Sequence, residues 1–357
     1  MDLAPFQFDL PEDRIALRPA DPQDSARLLV VHADGRLEDR TMLDLPTCLR
    51  SGDQLVFNDT RVIPAALRAV RPARDAAGRD VSVDLNLVEP RGPNVWVALA
   101  RPGRRLSVGD RLHIAPDFHA DLLEKTDGGT SVLHFHPPDG SSVEATLEQV
   151  GQMPLPPYIA RRRGADARDR STYQTRFASD DARSVAAPTA GLHFTDRLLA
   201  AIDSAGAVRQ TVRLHVGLGT FAPLDDRALA QNALHTEWCR LEAGTAAALN
   251  TARGAGQRII PVGTTSLRTL ETACDEAGQF APFAGGTDIF LKPGDRYLAT
   301  DALITNFHLP GSSLFMLVCG LMGTDIMRAA YAHAIAEAYR FYSYGDACLL
   351  LPEPSRP

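Results

Sequence analysis

Two different periodicities divide the chain. Between about residues 62 and 152, the segments VSVDLNLVE, NVWVALA, DRLHIAP and SVLHFH alternate apolar and polar positions, with Gly, Pro and Asp turns between them. That alternation predicts short antiparallel strands. A single helix is expected within this stretch, Val143 to Val150, stopped by Gly151. A small antiparallel sheet or barrel is the natural closure of such strands. The proline-rich MPLPPY, Met153 to Tyr158, marks the exit from it.

The flanks read differently. RLLVVH and GDQLVFND are predicted strands, with HADG as a turn between elements. Beyond residue 154 one unit recurs: an apolar strand, a loop of Gly, Thr, Ser and His, then a helix. VAAPTAGLHFTDRLLAAI is one instance, with Thr195 as N-cap. TVRLHVGLGTFAPL delivers a glycine loop, RIIPVGTTSLRTLETAC repeats the unit, and DALITNFHLPGSSLFMLVCGL repeats it with Ser312 or Ser313 as cap. Such alternation predicts an α/β fold: a barrel-like, mostly parallel α/β domain from residues 1–63 and 154–357. Residues 64–153 are expected to be inserted in it as a small antiparallel β-barrel domain.

In parallel sheets the loops at the carboxyl ends of strands form the ligand site. Four loops are therefore expected to line one cleft: Thr189 to Phe194, His215 to Thr220, Gly263 to Ser266 and Asn306 to His308. Their substrate-contacting candidates are Thr189, Gly191, Phe194, Gly217, Gly219, Thr220, Thr264, Thr265, Ser266, Asn306 and Phe307. The polar run Asn58, Asp59, Thr60 and Arg61 at the end of a strand joins them. VGTTS offers hydroxyls and free N–H groups at a helix start, suited to a carboxylate or phosphate, but lacks the lysine of a nucleotide-binding P-loop. His193, His215 and His308 are the proton-transfer candidates. The aromatic rings Phe194, Phe221 and Phe307 are read as a hydrophobic floor, one that an adenine ring or a sulfonium would also favour. Asp346, in a YGD turn beside Tyr342 and Tyr344, is a further candidate. The histidines show no compact ligand spacing, so no metal is expected.

Composition adds bounds. The chain has 357 residues and a formal net charge of −7. That balance argues against nucleic acid, but its distribution argues the other way. Residues 61–111 hold ten arginines against five acids, and RRRGADARDR, Arg161 to Arg170, holds five against two. Arg161, Arg162, Arg163, Arg168 and Arg170 are thus candidates to grip a phosphate backbone. The five cysteines, Cys48, Cys239, Cys274, Cys319 and Cys348, form no CxxC pair. The first residues lack the apolar core of a signal peptide, and the apolar run Leu314 to Met322 is too short to span a bilayer. A monomer in a reducing cytoplasm, with no membrane partner, is expected.

SVAAPTAGLHFT, LHVGLGTF, VGTTSLRTLE, TDIFLKPG, LITNFHLP and YRFYSYGDA occur in this order. FDLPEDRIALRP and LVFNDTRVIPA precede them, and LPPYI and YQTRFA lie between. Together they resemble the S-adenosylmethionine:tRNA ribosyltransferase-isomerases of queuosine biosynthesis, from Phe8 to about Leu350. The departures are Arg183 in place of a glycine, and Gly311 and Ser313 in place of lysine and threonine. The resemblance implies an α/β barrel-like domain with an inserted small β-barrel. It also implies transfer and isomerisation of the ribosyl part of S-adenosylmethionine. The acceptor is 7-aminomethyl-7-deazaguanine at the wobble position of the tRNA anticodon stem-loop. Epoxyqueuosine-tRNA, adenine and methionine result, so S-adenosylmethionine is a consumed substrate and no cofactor is implied. The residues alone leave two other readings open: a small-molecule lyase or transferase using the same loops, and a non-catalytic RNA-binding protein.

Overall fold

The computed structural model describes residues 2–126, 129–180, 183–217 and 226–353. Along the chain, β1 (Arg27–His32), β2 (Leu37–Thr41) and β3 (Gln54–Asn58) come first. Six strands follow: β4 (Ala66–Arg71), β5 (Val81–Gly92), β6 (Val95–Arg101), β7 (Arg111–Ala115), β8 (Phe118–Lys125) and β9 (Ser131–His136). The remainder carries β10 (Val208–Leu214), β11 (Glu237–Leu241), β12 (Ile259–Pro261), β13 (Phe283–Thr287), β14 (Leu303–Asn306) and β15 (Ala347–Leu351).

The chain divides into two compact units. One comprises Met1–Arg61, Gln174–Ala182 and Ala187–Pro357; the other comprises Val62–Tyr173 and Arg183–Ala186. In the second, β4–β5–β6–β9–β8–β7 close into an antiparallel barrel. The period-two alternation is what closes it. Val81, Val83, Leu85 and Leu87 of β5 and Phe118, Ala120 and Leu122 of β8 are buried, and the residues between them are more exposed. The Val143–Val150 helix is capped by the Ser142 hydroxyl, which accepts from the Ala145 amide at 3.1 Å. Gly151 follows it in an extended conformation, at a place where a Cβ would collide with the Pro64 and Leu147 carbonyl oxygens. This unit runs on past residue 153, through the helices Pro157–Arg163 and Asp169–Thr172.

The first unit holds two sheets, ordered β14–β15–β1–β2 and β12–β3–β10–β11–β13. Among the described residues a single parallel bridge, Val262 with Ile304, links them. The class is α/β with an inserted antiparallel barrel, but the sheets are mixed rather than mostly parallel. Among the described strands, β1 with β15, β3 with β10 and β3 with β12 are parallel; the other four pairings of this unit are antiparallel. The reversals arise where β1 turns back through a short connection into β2, and where β11, β13 and β14 return beside their neighbours. β1, β3 and β15 lie inside their sheets and are buried on both faces, which explains their unbroken apolar runs.

The predicted caps are in place. Thr195 accepts from the Leu198 amide at the start of Asp196–Ser204. Ser312 accepts from the Phe315 amide at the start of Ser313–Met322. The expected strand at VAAP is different: Ser184 makes one bridge to Val62, and Thr189–His193 is a 3₁₀ turn. Pro188 has no N–H to extend a ladder. No single helix among the described residues is long and apolar enough to cross a membrane. The apolar Ser313–Met322 helix lies in a core with Phe6, Phe307, Tyr331 and Phe341.

Candidate active site

The cleft sits within the first unit. Its walls are Ala187 to Ala190, Val216, Gly263 to Thr265, Thr305 to His308, Leu314, Tyr342 and Ser343, and its free volume is about 540 Å³, mouth included. Each wall is a junction that follows a strand or bridge. β12 leads through Val262 to Gly263, whose φ of +89° turns the chain into the Thr264–Thr272 helix. β14 ends at Asn306. All four predicted loops contribute, the second through Val216; Gly219 and Thr220, with Phe221, lie outside the described residues.

Asn306 organises the polar floor. Its Oδ1 accepts from the Thr189 hydroxyl at 3.1 Å, and its Nδ2 lies 3.2 Å from His193 Nε2. An amide nitrogen can only donate, so His193 Nε2 carries its lone pair there. Burial holds His193 down to about 4; Asp346 opposes that shift, Arg340 adds to it, and a hydrogen bond to the Gln23 backbone opposes it. His308, a wall residue, is held down to about 3 by burial alone. Its Nε2 is 3.2 Å from the Thr305 hydroxyl, and its amide donates to Tyr331 Oη at 2.9 Å. Both rings are therefore neutral at pH 7. His215 is half-buried beside Trp238, ring centroids 4.9 Å apart, and does not line this cleft.

Several other predicted contacts stand outside the cleft wall or carry bonds within the protein. Asp346 accepts from Arg340 Nη2 at 2.8 Å and from the amides of Arg340 and Arg27, so its carboxylate is engaged internally. Asn58 ties down β10, accepting from the Leu214 amide and donating to its carbonyl, while also accepting from the Thr60 amide. Asp59 pairs with Arg213 at 2.7 Å and Arg61 with Asp180 at 2.5 Å. Phe194 is core, 4.9 Å from Phe57 between centroids. Phe307 borders the cleft but packs its ring on Tyr331, Tyr339 and Phe341. An adenine would thus meet a mostly aliphatic and polar wall. Gly191 gives room to Thr175, and Ser266 bonds back to the Val262 carbonyl at 3.0 Å. Gly217 donates its amide to Glu237 at 2.9 Å.

Two wall residues stand out: Thr265, one of the predicted contacts, and Tyr342, which the sequence marked only as a neighbour of Asp346. Tyr342 sits at φ +74°, a conformation that side chains seldom adopt, and burial pushes its phenol up to about 12. Thr265 keeps a buried hydroxyl with no partner among the described residues.

In the barrel unit, Arg163 grips the buried Asp169 with both amino groups, at 2.9 and 2.6 Å. Arg170 donates to the Glu148 and Gly151 carbonyls, each at 3.0 Å. Arg161, Arg162 and Arg168 are exposed, as is Arg183. On the same unit, ligand atoms of His119, Asp121 and His136 lie within 4.8 Å of one another. Arg111 covers Asp121 there, at 2.8 and 3.0 Å.

A mixed α/β unit whose loops build a largely apolar cleft with a few convergent polar groups, and which carries an inserted antiparallel barrel, has the form of an enzyme with a small-molecule site. The chain belongs to the family described as queuosine biosynthesis protein, whose model matches residues 3–350. It is an enzyme of the transferase-isomerase class. It is 66% identical over 352 residues to the S-adenosylmethionine:tRNA ribosyltransferase-isomerase of Hyphomonas neptunium, covering 99% of this chain and 100% of that one. It is 54% identical to the enzyme of that name from Methylobacterium radiotolerans, over 98% of this chain and 97% of the relative. The solved structure of the S-adenosylmethionine tRNA ribosyltransferase from Thermotoga maritima matches with a TM-score of 0.55 and 32% identity. That match covers 98% of this chain and 100% of the other.

Proposed function

We propose that this enzyme transfers and isomerises the ribosyl part of S-adenosylmethionine onto 7-aminomethyl-7-deazaguanine at the wobble position of tRNA. Epoxyqueuosine-tRNA forms, and adenine and methionine leave. The observation that carries this reading is the end-to-end identity with relatives of that name, 66% over 99% of the chain. The cleft supports it. The Thr264–Thr272 helix turns an uncapped amino end toward it for an anionic group.

The chemistry assigns roles. A sulfonium acidifies the adjacent ribose carbon, adenine must be hydrogen-bonded as it departs, and the attacking amine must be neutral. His308 is a weak base at about 3, so its role is that of a neutral imidazole hydrogen-bonding the purine. His193, locked by Asn306, aligns the floor. His215 stands outside the cleft wall and takes no proton-transfer role. Arg161, Arg162 and Arg168 hold the anticodon stem-loop through phosphates, which position without reading sequence. The wobble base, in a single-stranded loop, is exposed at little cost. The enzyme acts as a cytoplasmic monomer, with its five thiols free.

The test is purified protein with S-adenosylmethionine and precursor tRNA carrying the modified base. Adenine release that requires the tRNA is expected. Release without RNA would instead mean a small-molecule transferase or lyase, and tRNA binding without turnover would mean an RNA-binding protein.

A further inference from the structure

Arg268 follows Thr264 by four residues and Thr265 by three, so the three side chains share a face of the Thr264–Thr272 helix. Both threonines line the cleft. A helical side chain leans toward the amino end, which carries the guanidinium back toward them. Arg268 is 4% exposed. Its Nη1 donates to Glu237 Oε2, and Glu237 Oε1 accepts from the Gly217 amide at 2.9 Å, next to the wall residue Val216. Its Nε and Nη2 are buried and have no partner among the described residues. Nor has the Thr265 hydroxyl.

Buried donors without acceptors are costly, and several at one place call for an explanation. The edge that is left over is informative. Elsewhere in this protein the Nε and Nη2 of one arginine grip one carboxylate: Arg213 on Asp59 at 2.9 and 2.7 Å, Arg258 on Asp53 at 2.9 and 2.5 Å, Arg111 on Asp121 at 2.8 and 3.0 Å. That edge offers two parallel N–H groups matched to two carboxylate oxygens. Glu237 neutralises the guanidinium, so the positive helix end beside it offsets the added negative charge.

We propose that Arg268 binds the α-carboxylate of the amino-acid end of S-adenosylmethionine through its Nε/Nη2 edge, with the Thr265 hydroxyl as a third donor. This rests on the reading that S-adenosylmethionine occupies the cleft. Arg268 is not itself a wall residue, so it reaches the ligand behind Thr264 and Thr265 once the cleft is filled; Glu237 is then a positioning residue that fixes Nη1 and leaves the Nε/Nη2 edge without a protein acceptor among the described residues.

Equilibrium dialysis without RNA tests it, comparing S-adenosylmethionine with decarboxylated S-adenosylmethionine. The wild type is expected to bind the decarboxylated compound roughly 10- to 100-fold more weakly, the scale of one bidentate charge-assisted contact. Arg268→Gln is expected to bring that ratio close to one by weakening only the carboxylated ligand. Arg268→Lys, a point charge without the fork, is expected to restore part of it. Equal binding of both ligands by the wild type would overturn the proposal, and this arm needs no variant to fold. An Arg268→Gln protein that keeps the wild-type ratio would overturn it as well. If that variant lost tRNA affinity while keeping the ratio, the anion would be an RNA phosphate. Failure of the underlying reading shows separately, as absence of tRNA-dependent adenine release by the wild type.

Discussion

Asn306 Nδ2 lies 3.2 Å from His193 Nε2, and Asn306 Oδ1 accepts a hydrogen bond from the Thr189 hydroxyl at 3.1 Å. One side chain on β14 thereby sets the ring orientation and tautomer of a histidine 113 residues earlier. Asn306→Asp replaces that donor with a carboxylate, which favours the charged ring. His193 should then titrate about one unit or more above its value of about 4. Ring-nitrogen chemical shifts followed against pH measure this. In steady state, kcat for adenine release should fall roughly tenfold or more, with a smaller change in KM. An unaltered kcat would remove the pair from the reaction.

The two buried imidazoles make stability depend on pH. An unfolded histidine titrates near about 6.5, whereas His193 and His308 in the folded chain do so at about 4 and about 3. Between these values the unfolded state binds more protons, so stability falls as pH drops below about 6.5, by up to ~1.4 kcal/mol per pH unit for each ring. The loss is complete for each ring only below its folded value. Glu38 and Asp121, held at about 2 by arginine and histidine partners, lose their contribution lower, as pH falls through the carboxylate range. Urea midpoints between pH 7 and 5 exclude the carboxylates held at about 2, but His119, lowered by burial, and Glu271, raised by it, share the window, so one ring's share is read as a difference between variant and wild type. His308→Gln should flatten that slope by about one ring's share; a slope identical to wild type would count against a neutral, buried His308.

Much of this arrangement was legible because it is local. The caps at Thr195 and Ser312 depend on neighbours three residues away, and the barrel strands carry their inside and outside in a period of two. Convergence of the loops follows from strands that deliver them. What escaped is non-local. Nothing near Asn58 announces that its amide will bond Leu214, 156 residues on. Arg163 and Arg161 look alike in sequence, yet only Arg163 finds the buried Asp169. Phe194 and Phe307 sit in polar loops but turn their rings into the core, because apolar burial outweighs what a loop's composition implies. Arg268 was hidden by its own helix: its significance appears only once Glu237, on another strand, takes one edge and leaves the other.

Glu271 is a structural anchor of the first unit. Burial pushes its carboxyl above the ordinary range, against hydrogen bonds from the Leu298 and Ala299 amides at 2.8 and 3.1 Å and the Thr300 hydroxyl at 2.9 Å. Glu271→Ala strands these donors. The expected loss is about 3 kcal/mol or more of unfolding free energy, from several buried groups left unmatched. Glu271→Gln keeps one acceptor oxygen and should lose less. Chemical denaturation reads both, and an Ala variant within ~0.5 kcal/mol of wild type would contradict the burial of this cluster.

The arginine segment separates into two kinds of residue with opposite expected behaviour. Arg161, Arg162 and Arg168 are exposed, so replacing all three with Gln should leave folding unchanged. tRNA binding should weaken, and its dependence on log salt should flatten by roughly three contacts, because each lost phosphate contact removes close to one released counterion. S-adenosylmethionine affinity should stay as it was. Arg163→Gln should do the reverse. It leaves Asp169, fully buried and also bonded to the Asp166 amide at 2.9 Å, without its cation. The cost should be about 3–5 kcal/mol of stability, with the salt slope of whatever folded protein remains unaltered. Filter binding across a salt series, run beside urea unfolding of both variants, decides the matter. A triple variant with the wild-type salt slope would move the RNA contact to the other arginine-rich stretch, residues 61–111.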